Sequence, residues 1–130
     1  MTGKRVAARE VIQTDRAPAP AGAYSQAVAT DRLVFVSGQT PRSTSGERLL
    51  DAPFDEQVRA ALSNLAAVAE ASGTSLGQAL YVTVFLRDPS NAPHFDAIYR
   101  TFVGTDPPAR TLVPSALTIG EVEINAVLAR

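Results

Sequence analysis

An α+β domain with its helices on one face of a sheet is the fold class the sequence predicts, and three observations predict it. Phe54, Val58, Leu62, Leu65 and Ala69 recur at helical spacing, the mark of a helix with one apolar face. The run "ALYVTVFLRD" (residues 79–88) is rich in β-branched and aromatic residues and too short to cross a membrane, so it reads as a buried strand. Near the C-terminus Val122, Ile124, Ala126 and Leu128 alternate with Glu121, Glu123, Asn125 and Val127, the period of a strand with two unlike faces.

The elements follow in order. "REVIQT" (residues 9–14) has the pattern of a short edge strand, and "APAPAGAY" that of a stiff loop held extended by its prolines, with Gly22 permitting a turn. "SQAVA" and "DRLVFVSG" read as two strands of a hairpin joined at Thr30-Asp31-Arg32, the second ending at Gly38. "PRSTSGERLLDAP" is a polar loop. Asp51 and Pro53 suit the start of the helix over residues 54–72, and Gly73 suits its C-terminal cap. A second helix is predicted over residues 92–103, with Asn91 as cap, Phe95, Ile98, Tyr99 and Phe102 as its stripe, and Gly104 closing it. "RTLVPSAL" and "EVEINAVLA" are the last two strands. Strands, helix, strand, helix, strands is an α+β order. If the apolar set of the last strand meets the helices, Glu123 and Asn125 face the other way, into water or a subunit interface.

Bulk composition narrows the function. At 130 residues the chain fits one domain, residues 1–130, with residues 1–17 as an N-terminal strand and extension. A hydrophobic content of 45% with 19% charged residues is ordinary for a folded domain. The net charge of −1, without a basic run, argues against a dedicated nucleic-acid binder. No cysteine is present, which excludes thiol catalysis, disulfides and thiolate metal sites, and the single histidine, His94, excludes a histidine-rich metal site within one chain. "MTGKRVAAREVIQTD" lacks the apolar core of a signal peptide and no stretch reaches membrane-spanning length, so a soluble, cytoplasmic protein is expected.

"DPPARTLVPSAL" (residues 106–117) carries the sharpest chemical signal. Pro107 and Pro108 fix their own φ and push the residue before each toward extended backbone, so covalent geometry largely aims Arg110. Such a guanidinium suits a planar carboxylate met at two points. The plainer reading is an ion pair with Asp106 or a helix cap. Glu123 read plainly is an exposed strand residue, Tyr24 a ring packed in its loop, and Ser37 before Gly38 a strand-end turn. His94 reads as a solvated surface residue, and the acids between Asp51 and Glu56 as helix-start charges favoured by the dipole rather than metal ligands.

"GAYSQAV", "LVFVSGQTP", "VTVFLRD" and "PPARTLV…VEINAVLAR", in this order and spacing, resemble the reactive intermediate deaminase family (RidA/YjgF) from about Pro18 to the C-terminus. The resemblance implies a chorismate-mutase-like mixed sheet with two helices on one face, assembled as a homotrimer with active sites between subunits. It implies hydrolysis of enamine and imine intermediates such as 2-aminoacrylate to 2-keto acids and ammonia, without metal or cofactor. Carried over by position, Arg110 grips the substrate carboxylate and Glu123 activates or orients water. Tyr24, Ser37, Gly38 and Leu112 line the substrate pocket. Tyr24 covers the substrate, and backbone groups around Ser37-Gly38 and Arg110-Leu112 meet the amine or developing charge.

Four positions depart from the family pattern. Gly-Pro-Tyr is Gly22-Ala23-Tyr24, a frequent cysteine is Leu112, a frequent helix asparagine is Asp96, and a frequent second glutamate is Asn125. Other functions on the same scaffold are a non-catalytic small-carboxylate sensor, a deaminase for a bulkier enamine, which Leu112 fits, and an endoribonuclease, against which the missing basic patch and RNA-stacking motif count. The pair Arg110 and Glu123 separates the first from an enzyme, since sensing a carboxylate needs only the arginine.

Overall fold

In the computed structural model, which describes residues 8–130, the chain forms β1 (Glu10–Ile12), β2 (Ala27–Ala29), β3 (Leu33–Gln39), α1 (Phe54–Ala71), β4 (Ala79–Leu86), α2 (Ala92–Val103), β5 (Ala109–Pro114) and β6 (Val122–Ala129). The first seven residues, part of the stretch read above for a signal peptide, lie outside the described residues. Short 3₁₀ turns precede β4 and α2. The strands form one sheet in the order β1-β2-β3-β6-β4-β5, as the α+β reading expects.

β6 sits in the middle, antiparallel to β3 on one side and to β4 on the other. Its alternation is strict: Val122, Ile124, Ala126 and Leu128 are buried, and the residues between them only partly so. β5 runs parallel to β4, and parallel neighbours cannot be joined by a tight hairpin; α2 supplies the crossover. Both helices lie on the face that receives the buried set of β6. Val58, Leu62, Leu65 and Val68 of α1 and Phe95 of α2 close the core against Val34, Val82, Val84, Leu86, Ile124 and Leu128.

Helix ends follow local chemistry. α1 starts where Asp51 and Pro53 suggested: its N-cap is Pro53, without a side-chain bond, and Asp55 and Glu56 in the first turn complement the dipole. At the other end Gly73 adopts φ +80°, its N–H bonds the Glu70 carbonyl at 3.1 Å and that of Thr74 bonds Ala69 at 3.1 Å, the paired closure of a left-handed cap. Asn91 likewise makes no cap bond to α2; Asp88 instead accepts from the Ser90 N–H at 2.9 Å and closes the preceding turn.

Among the described residues no helix covers the opposite face of the sheet. Registered residues form rows across it: Phe35, Val127 and Tyr81; Asn125, Thr83 and Thr111; Glu123, Phe85 and Val113. Phe35 is 50% and Tyr81 40% exposed. β4, read as a buried strand, is buried on one face only, because the periodicity of a short apolar run cannot say how many faces are covered.

Buried amides tie the loops to this frame. Gln26 accepts from the Thr14 N–H at 2.7 Å and donates to the carbonyls of Thr14 and Pro18, both at 3.0 Å, which fixes the proline-rich loop. Gln57 on α1 accepts from the Glu121 N–H at 2.9 Å and donates to the Ala52 carbonyl at 3.0 Å, so it sets the entry to β6. Asn64 on α1 donates to the carbonyls of Thr40 at 3.3 Å and Arg42 at 2.9 Å. All three are nearly inaccessible to water.

Replacing Gln57 by leucine keeps the volume but strands the Glu121 N–H and Ala52 carbonyl away from water. Unfolding in urea at fixed protein concentration should show a loss of about 1–3 kcal/mol, the cost of unpaired buried polar groups. An unchanged midpoint would mean that both groups find other partners.

Candidate active site

The site begins with an irregularity between β3 and β6. Val36 lies opposite Ala126 and Gln39 opposite Ile124, so three steps along β3 match two along β6, a β-bulge at Ser37-Gly38. β3 thus runs one residue beyond Gly38, and the glycine acts inside the strand. A Cβ on Gly38 would sit 3.0 Å from Glu123 Cδ and closer still to a carboxylate oxygen. The missing side chain is what lets the carboxylate lie along β3.

Glu123 projects from the uncovered face at the mouth of a cavity of about 450 Å³, which Tyr24, Ser37, Gly38 and Arg42 also line. Its side chain is partly buried, and burial alone pushes its carboxyl above the ordinary glutamate value of 4.5. A carboxyl with a raised value and no hydrogen-bond partner among the described residues can exchange protons nearer to neutral pH.

Two of the other predicted residues are partly committed to structure. The Ser37 hydroxyl donates to the Ser25 carbonyl at 2.6 Å and its N–H donates to Gln26 at 2.9 Å, stitching β3 to the loop that carries Tyr24. The Tyr24 hydroxyl accepts from the Ala21 N–H at 3.1 Å, which holds the ring over the cavity while leaving the hydroxyl hydrogen free to donate.

Arg110 and Leu112 lie elsewhere. The register pairs them with Val82 and Val84, two core residues, so both point to the helix face, opposite Glu123. Leu112 packs against the core. Arg110 pairs with Asp96 on α2, Nη1 to Oδ1 at 2.6 Å, rather than with Asp106, and its guanidinium lies 5.1 Å from the ring centre of Tyr99 and 5.7 Å from that of Phe95. The Tyr99 hydroxyl beside it is buried without a partner, and its pKa is pushed up to about 12, chiefly by burial. Arg110 opens onto a second hollow bordered by Pro107 and Pro108. One chain therefore brings together Tyr24, Ser37, Gly38 and Glu123 but not Arg110 or Leu112.

Arg42 is the residue that sequence reasoning missed. It follows Pro41 in a segment read only as a polar loop, yet that segment folds back on itself through a bridge between Arg42 and Arg48. The arginine four residues past Gly38, inside "SGQTPR", was the available signal. His94 is exposed, as expected. Among the described residues no group of three His, Cys, Asp or Glu side chains could hold a metal ion, and no helix is long and apolar enough to cross a membrane.

Comparison with known proteins agrees with this fold. The family described as Endoribonuclease L-PSP matches residues 14–129. A rat protein named 2-iminobutanoate/2-iminopropanoate deaminase is 37% identical over 121 residues, 92% of this chain and 88% of the rat protein. The crystal structure of RidA from an Antarctic Psychrobacter superposes with a TM-score of 0.86 at 33% identity, covering 93% of this chain and 99% of that one. The E. coli TdcF structure with bound serine gives 0.85 at 32% identity, covering 93% and 98%.

The environment of Glu123 has a consequence for stability. A carboxyl whose folded pKa lies above its unfolded one destabilises the fold as pH rises through the interval between the two, and the cost stays constant at higher pH. Glu123→Gln removes that titration. The variant should melt above wild type at pH 8, and the difference should vanish below the ordinary value of 4.5. A melting-point difference independent of pH would show that the carboxylate is not desolvated.

Proposed function

This chain belongs to the Endoribonuclease L-PSP family, the family of RidA and YjgF, and from that premise we propose that it hydrolyses enamine and imine intermediates to 2-keto acids and ammonia. The observation that carries the reading is the partly buried, proton-ready carboxylate of Glu123 in a cavity large enough for a small metabolite. The deaminase name of the rat relative and the serine held by TdcF support a small amino-acid-like ligand.

An imine carbon is already electrophilic, so positioning matters more than a strong nucleophile. Glu123 takes a proton from the water that adds to carbon and returns one to the nitrogen, which leaves as ammonia when the carbonyl forms. The Tyr24 ring limits bulk water, and the backbone of the Ser37-Gly38 bulge offers hydrogen bonds close to the reacting centre. Arg110 holds the substrate carboxylate from a neighbouring copy. The apolar row of Phe35, Val127 and Tyr81 on the same sheet face as Glu123 supports such an assembly, because an exposed apolar sheet face marks an interface. A homotrimer places three such clefts between subunits and hides this face.

The opposed faces of Arg110 and Glu123 supply the test. Arg110→Ala and Glu123→Gln should each lower imine hydrolysis by roughly 10²–10⁴, measured above the spontaneous background. Unfolded together at equal amounts and refolded, the two variants should recover up to about a quarter of wild-type turnover, the share of interface sites that receive one intact residue from each neighbour in a mixed ring. No recovery from mixtures shown to exchange subunits would rule out the shared cleft. Light scattering should return the mass of a trimer at micromolar concentration, and a monomer mass would contradict the assembly.

A further inference from the structure

The charge that the predicted site does not use is Arg42. Its backbone is fixed, since Asn64 grips its carbonyl and the Leu49 N–H bonds the carbonyl of the neighbouring Pro41 at 2.9 Å. Its side chain lines the Glu123 cavity but is almost unpartnered. Of its five donor N–H groups, one reaches the Ala19 carbonyl, at 3.3 Å, and Nε is buried with no acceptor among the described residues. Among the described residues no carboxylate lies within salt-bridge distance of it; the ion pairs there are Arg16 with Glu70, Arg110 with Asp96 and Arg130 with Glu10. Glu123 lines the same cavity but is not within salt-bridge distance of it either.

A guanidinium held on the wall of a cavity, with most of its donors unpaired, is prepared for an anion that the described residues do not provide. We infer that Arg42 binds a second carboxylate on the substrate, so that this protein favours imines of acidic amino acids, which carry a distal carboxylate, over imines with short apolar side chains. The inference rests on the deaminase reading and assigns its substrate class. The two ends of such a substrate match the two arginines: Arg110 of a neighbouring copy for the carboxylate next to the imine, Arg42 for the distal one, and Glu123 for the water between them. The apolar Ile119 and the hydroxyls of Thr40 and Thr118 line the rest of the cavity and offer no competing charge.

The test compares imines made in place by amino-acid oxidases. Imines from aspartate and glutamate are set against those from alanine and leucine, on wild type, Arg42→Gln and Arg42→Lys. Wild type should prefer the acidic imines by about tenfold or more in kcat/KM, the usual scale of a charge-assisted hydrogen bond. The preference should lie mainly in KM, collapse toward unity in Arg42→Gln and return in part in Arg42→Lys. Equal preference ratios in wild type and Arg42→Gln would overturn the assignment, including the case where Arg42 only braces the Ala19 loop and both substrates suffer alike. A separate measurement guards against failure of the deaminase reading itself. In calorimetry glutarate should bind more tightly than butyrate, with the gap closing in Arg42→Gln. That result with no turnover of any imine would sink the enzyme and keep the anion site, whereas equal binding of both acids by wild type would sink the site.

Discussion

Everything in this molecule hangs on the alternation of β6 at the centre of the sheet. Four apolar side chains directed at the helices make its burial obligatory, and a slip of one residue would turn Glu123 into the core. The same alternation lets a carboxylate stand in the middle of the sheet, on the face the helices leave bare. β3 then accommodates that carboxylate with a bulge and a glycine rather than yielding its pairing. Core and candidate site are thus two faces of one strand.

Much of this was legible in the chain itself. Periods of 3.6 and 2 located both helices and the long strands to within a residue or two, because each buries a single face over many residues. The direction of Glu123 followed from the same count. The face of Arg110 did not, because β5 is a short edge strand whose two faces both mix apolar and polar residues, and its register against β4 is a tertiary fact. Asp96 as the partner of Arg110 was equally hidden, since it needs the packing of α2 over the edge of the sheet. Nor could composition reveal that Gln26, Gln57 and Asn64 are buried; a glutamine on a helix reads as surface until the loops that need its amide are in place.

The two arginines show how one residue type takes different parts. Arg110 is screened by Asp96 and stacked on aromatic rings, so a carboxylate from outside meets a partly neutralised guanidinium whose planar fork is held rigid. Arg42 keeps its full charge in a recess. A cleft built from both would read the length of a ligand as well as its charge, because the anchors sit on different elements and neither can follow a shorter molecule.

The edges of the sheet carry one more consequence. β1 offers three residues and β5 six, and β5 is bounded by Pro107-Pro108 before it and ends on Pro114. Proline has no N–H to lend to an incoming strand, so a foreign β-segment that docked on this border would run out of ladder after a few residues. The loop chemistry that aims Arg110 therefore also acts as a gatekeeper against amyloid-like growth, and exchanging these prolines for good strand formers would lengthen the template on which such growth begins.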